Sequence, residues 1–393
     1  MPPIYFDNHA TTQVDPRVVE AMLPTFTETY GNPSSVGHLF GEAAKELVER
    51  SQQTIAAAIG AEAKEIVFTS GATESNNLAI GGVLTQRRRR GDHVVTVTTE
   101  HKAVLDPLEQ FEQRGYEVTR LAPRQVGDPL AGQLAAAQVA EAIRPDTSLV
   151  SIMLANNEIG VIQPLAEIAQ ICKQQGVLLH CDATQAVGKI PVDVQQLGVD
   201  LMSFSAHKIY GPKGSGGLYV RKEGPRVRLQ PSIFGGGQQR GIRSGTLNVT
   251  GIVGLAEAVR LSVAEMADES ARLRQLRDTL WSGLNERTTG LHLNGPELDH
   301  SEARLAGNLN FAVEQVDGEA LMMNVREIAV SSGSACTSAN PQPSHVLRAI
   351  GLSEDLTRSS LRFGLGRFNT AEEVAFAVDV VATAVDKLRK LIA

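Results

Sequence analysis

The sequence predicts an α/β chain in which a large domain, built on a mainly parallel sheet, joins a smaller α+β domain. Three observations predict it. Between residue 64 and about 221, short β-rich runs (EIVF, HVVTVTT, EVTRL, SLVSIML, GVLLHC, DLMSFS and GGLYV) alternate with helical patterns, as in sheets covered on both faces by helices. After Gly251 the texture changes to a long polar helical stretch and then to NLNFAV, IAVSS and SLRFG. The 393 residues, 42% hydrophobic and 21% charged, exceed one small domain and hide roughly three quarters of the unfolded surface without staples.

These observations divide the chain into a large domain at 15–257 and a small domain made of 1–14 and 258–393, with the junction inside the long helix and the first dozen residues packed on the small domain. Residues 332–345, SGSACTSANPQPSH, are rich in Ser, Gly, Pro and Ala and read as an exposed mobile loop, a type that often carries function.

Net charge −7 excludes a general grip on nucleic acid or on an anionic membrane surface. The basic run Arg87 to Arg90 follows LAIGGVL and precedes Gly91-Asp92, where a helix ends and cations offset its dipole. Three cysteines, Cys172, Cys181 and Cys336, are too few and too unevenly spaced for a disulfide framework or a four-ligand zinc site, which suggests a reducing compartment. MPPIYFDNHATT lacks the features of a secretion signal, and no run approaches the roughly 20 apolar residues of a membrane span. The expectation is a cytoplasmic protein without membrane contact.

In EIVFTSGATESNN a strand runs into Ser70-Gly71, and a helix opens at Ala72-Thr73. Small residues there let backbone N–H groups and a hydroxyl approach an anion such as a phosphate, although an ordinary capped turn looks the same. In GVLLHCDATQAVG an apolar strand delivers His180, Cys181 and Asp182 and, past a turn, Gln185. An acid at that strand end is costly unless it meets a cation or a protonated ring nitrogen. A metal cluster from His180, Cys181 and Asp182 is geometrically poor, because adjacent strand residues face opposite ways, and Cys181 reads as a small buried apolar residue.

In DLMSFSAHKIYGPKGSGGLYV another apolar strand ends in Ser205-Ala206-His207-Lys208. The glycine-rich turn after it lacks P-loop spacing. Lys208 lies 26 residues after Asp182, one strand-helix-strand unit, so both emerge at one rim of the sheet. An imine-forming lysine, an acid for a pyridine nitrogen and a phosphate cup are what pyridoxal phosphate (PLP) requires of a protein.

SGATESNN, TEHKAV, NNEIG, HCDATQ, SFSAHKIYGPKG, RSGT and SSGSACTS, in this order, resemble the cysteine desulfurases of the NifS/IscS type, PLP enzymes of fold type I. The resemblance spans nearly the whole chain. It implies that Lys208 forms the Schiff base, Asp182 pairs with the ring nitrogen, Gln185 with the phenolic oxygen, and His101 stacks on the ring. Ala72, Thr73, Ser205 and His207 would hold the phosphate, joined by Thr246 from a second copy of a homodimer. Asn157 and Arg362 would fix the carboxylate of L-cysteine. Cys336 would take the sulfur as a persulfide, releasing L-alanine, with its thiol proton passing to His101 or to the substrate amine.

The SSGSACTS form followed by a long loop further implies iron–sulfur cluster assembly, with scaffold proteins as sulfur acceptors and nucleic acid reached only indirectly, through tRNA thiolation. Taken singly, His101 reads as a structural histidine, and Arg362 and Arg367 as members of surface ion pairs. GGGQQRGIRSGT reads as a loop in which Arg243 also suits a phosphate. The rival readings are another PLP lyase or aminotransferase, a selenocysteine lyase, and a catalytically silent docking scaffold. Retention of Lys208, Asp182 and Cys336 together argues against the last.

Overall fold

The computed structural model describes residues 3–86, 90–224, 227–332 and 343–392. Strand β1 (Ile4–Tyr5) is followed by the seven strands of the main sheet: β2 (Ile66–Thr69), β3 (His93–Val97), β4 (Glu117–Leu121), β5 (Thr147–Ser151), β6 (Leu178–Asp182), β7 (Leu201–Ser205) and β8 (Gly216–Val220). Their spatial order is β2-β8-β7-β6-β5-β3-β4. All neighbouring pairs are parallel except those of β8, which runs against both β2 and β7. Every residue of β3, β5, β7 and β8 is buried, as expected of strands packed on both faces.

Two consequences position the site. The chain leaves β3 to one side for β4 and to the other for β5, so the strand order reverses at β3, the kind of place where open α/β sheets leave a crevice. The carboxyl ends of β2, β3, β5, β6 and β7 also share one edge, because β2 and β7 both oppose β8.

A second, antiparallel sheet has the order β12-β13-β10-β9, from β9 (Leu291–Leu293), β10 (Asn308–Val313), β12 (Ser331–Ser332) and β13 (Ser360–Gly364). Strand β1 pairs in parallel with β11 (Ile328–Ala329). The helix Val249–Arg287 joins the two regions. Asn248 caps it by accepting from the Gly251 N–H at 3.0 Å. At 39 residues it is about 58 Å long. Its first half (Ile252, Leu255, Val259) packs into the core of the main sheet, and its second half (Leu273, Leu280, Leu284) packs with Phe311 and Phe363 of the second sheet.

Candidate active site

The site assembles at the shared carboxyl edge, around a cavity of about 660 Å³ lined by Ala72, Thr73, His101, Asn157, Asp182, Gln185, Ser205, His207 and Lys208 among others. On one side β2 ends in Thr69, and Gly71 leads into the helix Ala72–Leu84 with no side chain capping its first turn. Its leading N–H groups therefore keep their donors for a ligand. Thr69, Gly216 and Ser205 lie in one register row across three strands. A Cβ on Gly216 would stand 2.6 Å from Gly71 Cα, so this row closes only with glycine at 216.

Asp182 ends β6 with 4% of its surface exposed. Its Oδ2 accepts from Asn76 Nδ2 at 2.7 Å and its Oδ1 from the Thr184 N–H at 2.9 Å. Neutral donors orient the carboxylate without neutralising it, and a protonated ring nitrogen in the cavity would supply the charge that burial demands. A single 3₁₀ turn, Ala206–Lys208, follows β7 and turns Lys208 inward, where Nζ donates to the carbonyls of His9 and Ala10, each at 2.6 Å. Burial and, next, Lys208 hold His207 down at about 4, so its ring is neutral and Nδ1 meets Thr11 Oγ1 at 3.2 Å.

His101 caps the helix Lys102–Glu112, its Nδ1 accepting from the Ala103 N–H at 3.0 Å. Desolvation lowers its pKa, and because Nδ1 accepts, the neutral ring carries its proton on Nε2. Asn157 belongs to the NNEIG turn after β5, which is closed by Asn156 Oδ1 accepting from the N–H groups of Glu158 and Ile159 at 2.8 and 3.0 Å.

The class-V aminotransferase family model matches residues 4–376. The cysteine desulfurase IscS of Anaeromyxobacter sp. (strain K) is 55% identical over 389 residues, which cover 99% of this chain and 94% of that protein. A solved NifS-like protein superposes with a TM-score of 0.89 at 37% identity, over 98% of this chain and 100% of its own. The solved chain of SspA in complex with cysteine superposes with a TM-score of 0.79 at 36% identity, over 93% and 100%. The chain belongs to the cysteine desulfurases of the class-V aminotransferase family. It is a PLP-dependent enzyme of fold type I.

The residues present in this desulfurase fit that cofactor. The cavity has room for a ring and a phosphate, the uncapped helix start suits the phosphate, and Asp182 and Lys208 face the same space. Cys336 lies outside the described residues. Of the described residues expected from the sequence, two do not line the cavity. Thr246 is exposed on the segment after Gly245. Arg362 stands behind Asn157, whose carbonyl accepts from its Nη1 at 3.1 Å.

Two readings need correction. Arg362 is not in a surface ion pair: it is 1% exposed, bonded through Nη2 to Asp7 at 2.8 Å and to Ser331 Oγ at 3.1 Å, while its Nε has no partner among the described residues. Arg367 is likewise mostly buried, against Asp15 and Glu269 and over the Tyr210 ring. For Arg362, burial follows from strand pairing across β13, which a linear pattern does not reveal. Arg243, read as a possible phosphate contact, instead pairs with Glu74 at 2.8 Å.

His180 resolves as a core residue, held between Ser151 Oγ (2.8 Å) and Ser203 Oγ (3.0 Å). Sequence reasoning missed Asn76, although it lies three residues after Thr73 and so on the same helix face. It also missed His9, whose carbonyl receives Lys208, and the buried pair of Glu158 and Ser344 at 2.5 Å. No short-range pattern marks either of these.

Proposed function

We propose that this desulfurase holds PLP on Lys208, binds L-cysteine beside Asn157 and Arg362, and passes its sulfur to Cys336 for delivery to acceptor proteins of iron–sulfur cluster assembly. The observation that carries the reading is the convergence of Lys208, Asp182 and the uncapped helix start on one cavity. When bound, the cofactor supplies an electron sink next to the substrate Cα.

The chain's own groups do the rest. Asp182, fixed by Asn76 and Thr184, would hold the ring nitrogen in its protonated form. The N–H groups of Ala72 and Thr73, with Ser205 and His207, suit the phosphate, and neutral His207 offers Nε2 without competing charge. Lys208 Nζ, when not bonded to the cofactor, would take up the Cα proton. His101 carries its proton on Nε2 and so would enter as a donor. The Cys336 thiolate attacks substrate Sγ, the Cβ–Sγ bond breaks with its electron pair passing to carbon, and proton return gives L-alanine and an enzyme persulfide.

A homodimer belongs to the same reading. Thr246 would complete the phosphate site of a second copy. The segment from 23 to 40 exposes Leu23, Phe26, Tyr30, Val36, Leu39 and Phe40, apolar side chains of the kind that an interface covers. A cytoplasmic setting fits the absence, among the described residues, of any helix long and apolar enough to cross a membrane.

Borohydride reduction of the PLP-loaded protein followed by peptide mapping tests the assignment. The cofactor is expected on the peptide containing Lys208. Label on another lysine alone defeats it.

A further inference from the structure

We infer that Lys189 is a positioning residue for the active site: its ammonium fixes which end of the Gln185 amide faces the cavity and sets a second positive charge beside Lys208. The inference rests on the proposed PLP site.

Lys189 Nζ donates to Gln185 Oε1 at 2.5 Å. An ammonium has three donors and no acceptor, so the Gln185 atom that meets it must be the oxygen. The amide flip, ordinarily ambiguous, is thereby fixed. Gln185 Nε2 then gives one N–H to the His9 carbonyl at 2.9 Å and keeps its second for the cavity that Gln185 lines. The same His9 carbonyl accepts from Lys208 Nζ. A continuous chain therefore runs from Lys189 through the Gln185 amide and the His9 carbonyl to Lys208.

The lysine is held in place by its own backbone. Gly188 turns the chain with φ +73, and a Cβ there would meet Ser262 Cβ at 2.7 Å. The Lys189 N–H donates to the Ala186 carbonyl at 2.9 Å, and the Lys189 carbonyl accepts from Ser270 Oγ at 3.2 Å. Beyond it lies a second cavity, about 30 Å³ and also lined by His9, Tyr210 and Glu269, enough for about one water.

The charged and titratable groups around Lys189 are Lys208 after β7, Arg362 on β13, Glu269 on the long helix, and the rings of His9 and His207. Burial, then Lys208, bring Lys189 down to about 7, with Glu269 opposing and Arg362 adding to the fall. Glu269 is already engaged by the Tyr210 hydroxyl and Arg367, both at 2.8 Å. Lys189 therefore leans on Gln185, and its charge weakens as the pH rises through neutrality.

A neighbouring cation disfavours any added proton on the cofactor-bound centre, and an N–H donated to the phenolic oxygen favours its ionised form. Removing Lys189 weakens both effects, and both changes act in the same direction. The test is a pH titration of the visible absorption of the PLP-loaded protein.

Lys189→Met is expected to raise the acid–base midpoint by about one unit, a tenfold change in the proton equilibrium, while Lys189→Arg stays near wild type. Equal midpoints in wild type and Lys189→Met overturn the inference alone. If Lys189→Met gives no folded, loaded protein, Lys189→Gln makes the same comparison: a smaller upward shift supports the inference, and no shift overturns it. A wild-type protein without Lys208-linked absorption overturns the site assignment and this inference together.

Discussion

At the scale of single residues, the cavity is built from buried polar groups whose charge is controlled by their surroundings. Glu158 illustrates the energetic side. Burial pushes its carboxyl up to about 7 against the opposing bond from Ser344 and the charge of Arg362. The folded protein therefore holds this proton more tightly than the unfolded chain does. Its stabilising effect is complete below the unfolded value near 4.3 and is lost as pH rises through about 7. Glu158→Gln should remove that dependence. Denaturant titrations between about pH 4 and 8 are expected to show wild-type stability falling relative to the variant by on the order of 3 kcal/mol. Parallel curves would show that Glu158 ionises freely.

The residues legible in the sequence were those whose chemistry follows from position at a strand end. Asp182 and Lys208 were marked by the apolar runs before them. Those that stayed hidden are set by contacts distant in sequence: Arg362 is buried only because β13 lies between β10 and β12, and His9 meets Lys208 across 199 residues.

At the scale of elements, strand positions were readable because the runs of the main sheet, the edge strand β4 apart, are short apolar blocks bounded by turn residues. The reversed direction of β8 was not, since GGLYV carries the same apolar pattern as the parallel strands of the sheet, and burial rather than direction is what such a pattern records. The N-terminal segment was legible in part. Strand β1 packs beside the second sheet, while residues 9 to 12 reach the cavity edge, a division no periodicity announces. The approach of the Gly71 turn to β8 is testable. Gly216→Ala drives a Cβ to 2.6 Å from Gly71 Cα and 2.7 Å from the Phe204 carbonyl oxygen, so it should lower stability by about 1–3 kcal/mol and weaken PLP binding at least about tenfold, one factor of ten being about 1.4 kcal/mol. Gly81→Ala, on the same helix Ala72–Leu84, meets nothing nearer than 3.9 Å and should be neutral or stabilising by up to about 1 kcal/mol. Fluorescence titration with PLP separates the two. Equal affinity would remove the close backbone approach from the account of the phosphate site.

At the scale of the whole molecule, the helix Val249–Arg287 shares its faces between two cores, so the two sheets are coupled through one rigid element rather than a flexible linker. In the proposed homodimer, a second copy would cover the exposed apolar segment from 23 to 40 and receive Thr246. Sedimentation should give about twice 42.1 kDa, and an active monomer would contradict the shared site. The resemblance carried by the ordered motifs made the family legible from end to end, whereas assembly is not written in local patterning. The most direct test of the central claim is to incubate the PLP-loaded protein with L-cysteine, quantify alanine, and map sulfur by peptide mass in wild type and Cys336→Ser. The account requires alanine release with an added sulfur atom on Cys336 in wild type, and neither in the variant, although the variant still binds PLP. Normal alanine and sulfide release by Cys336→Ser would contradict it.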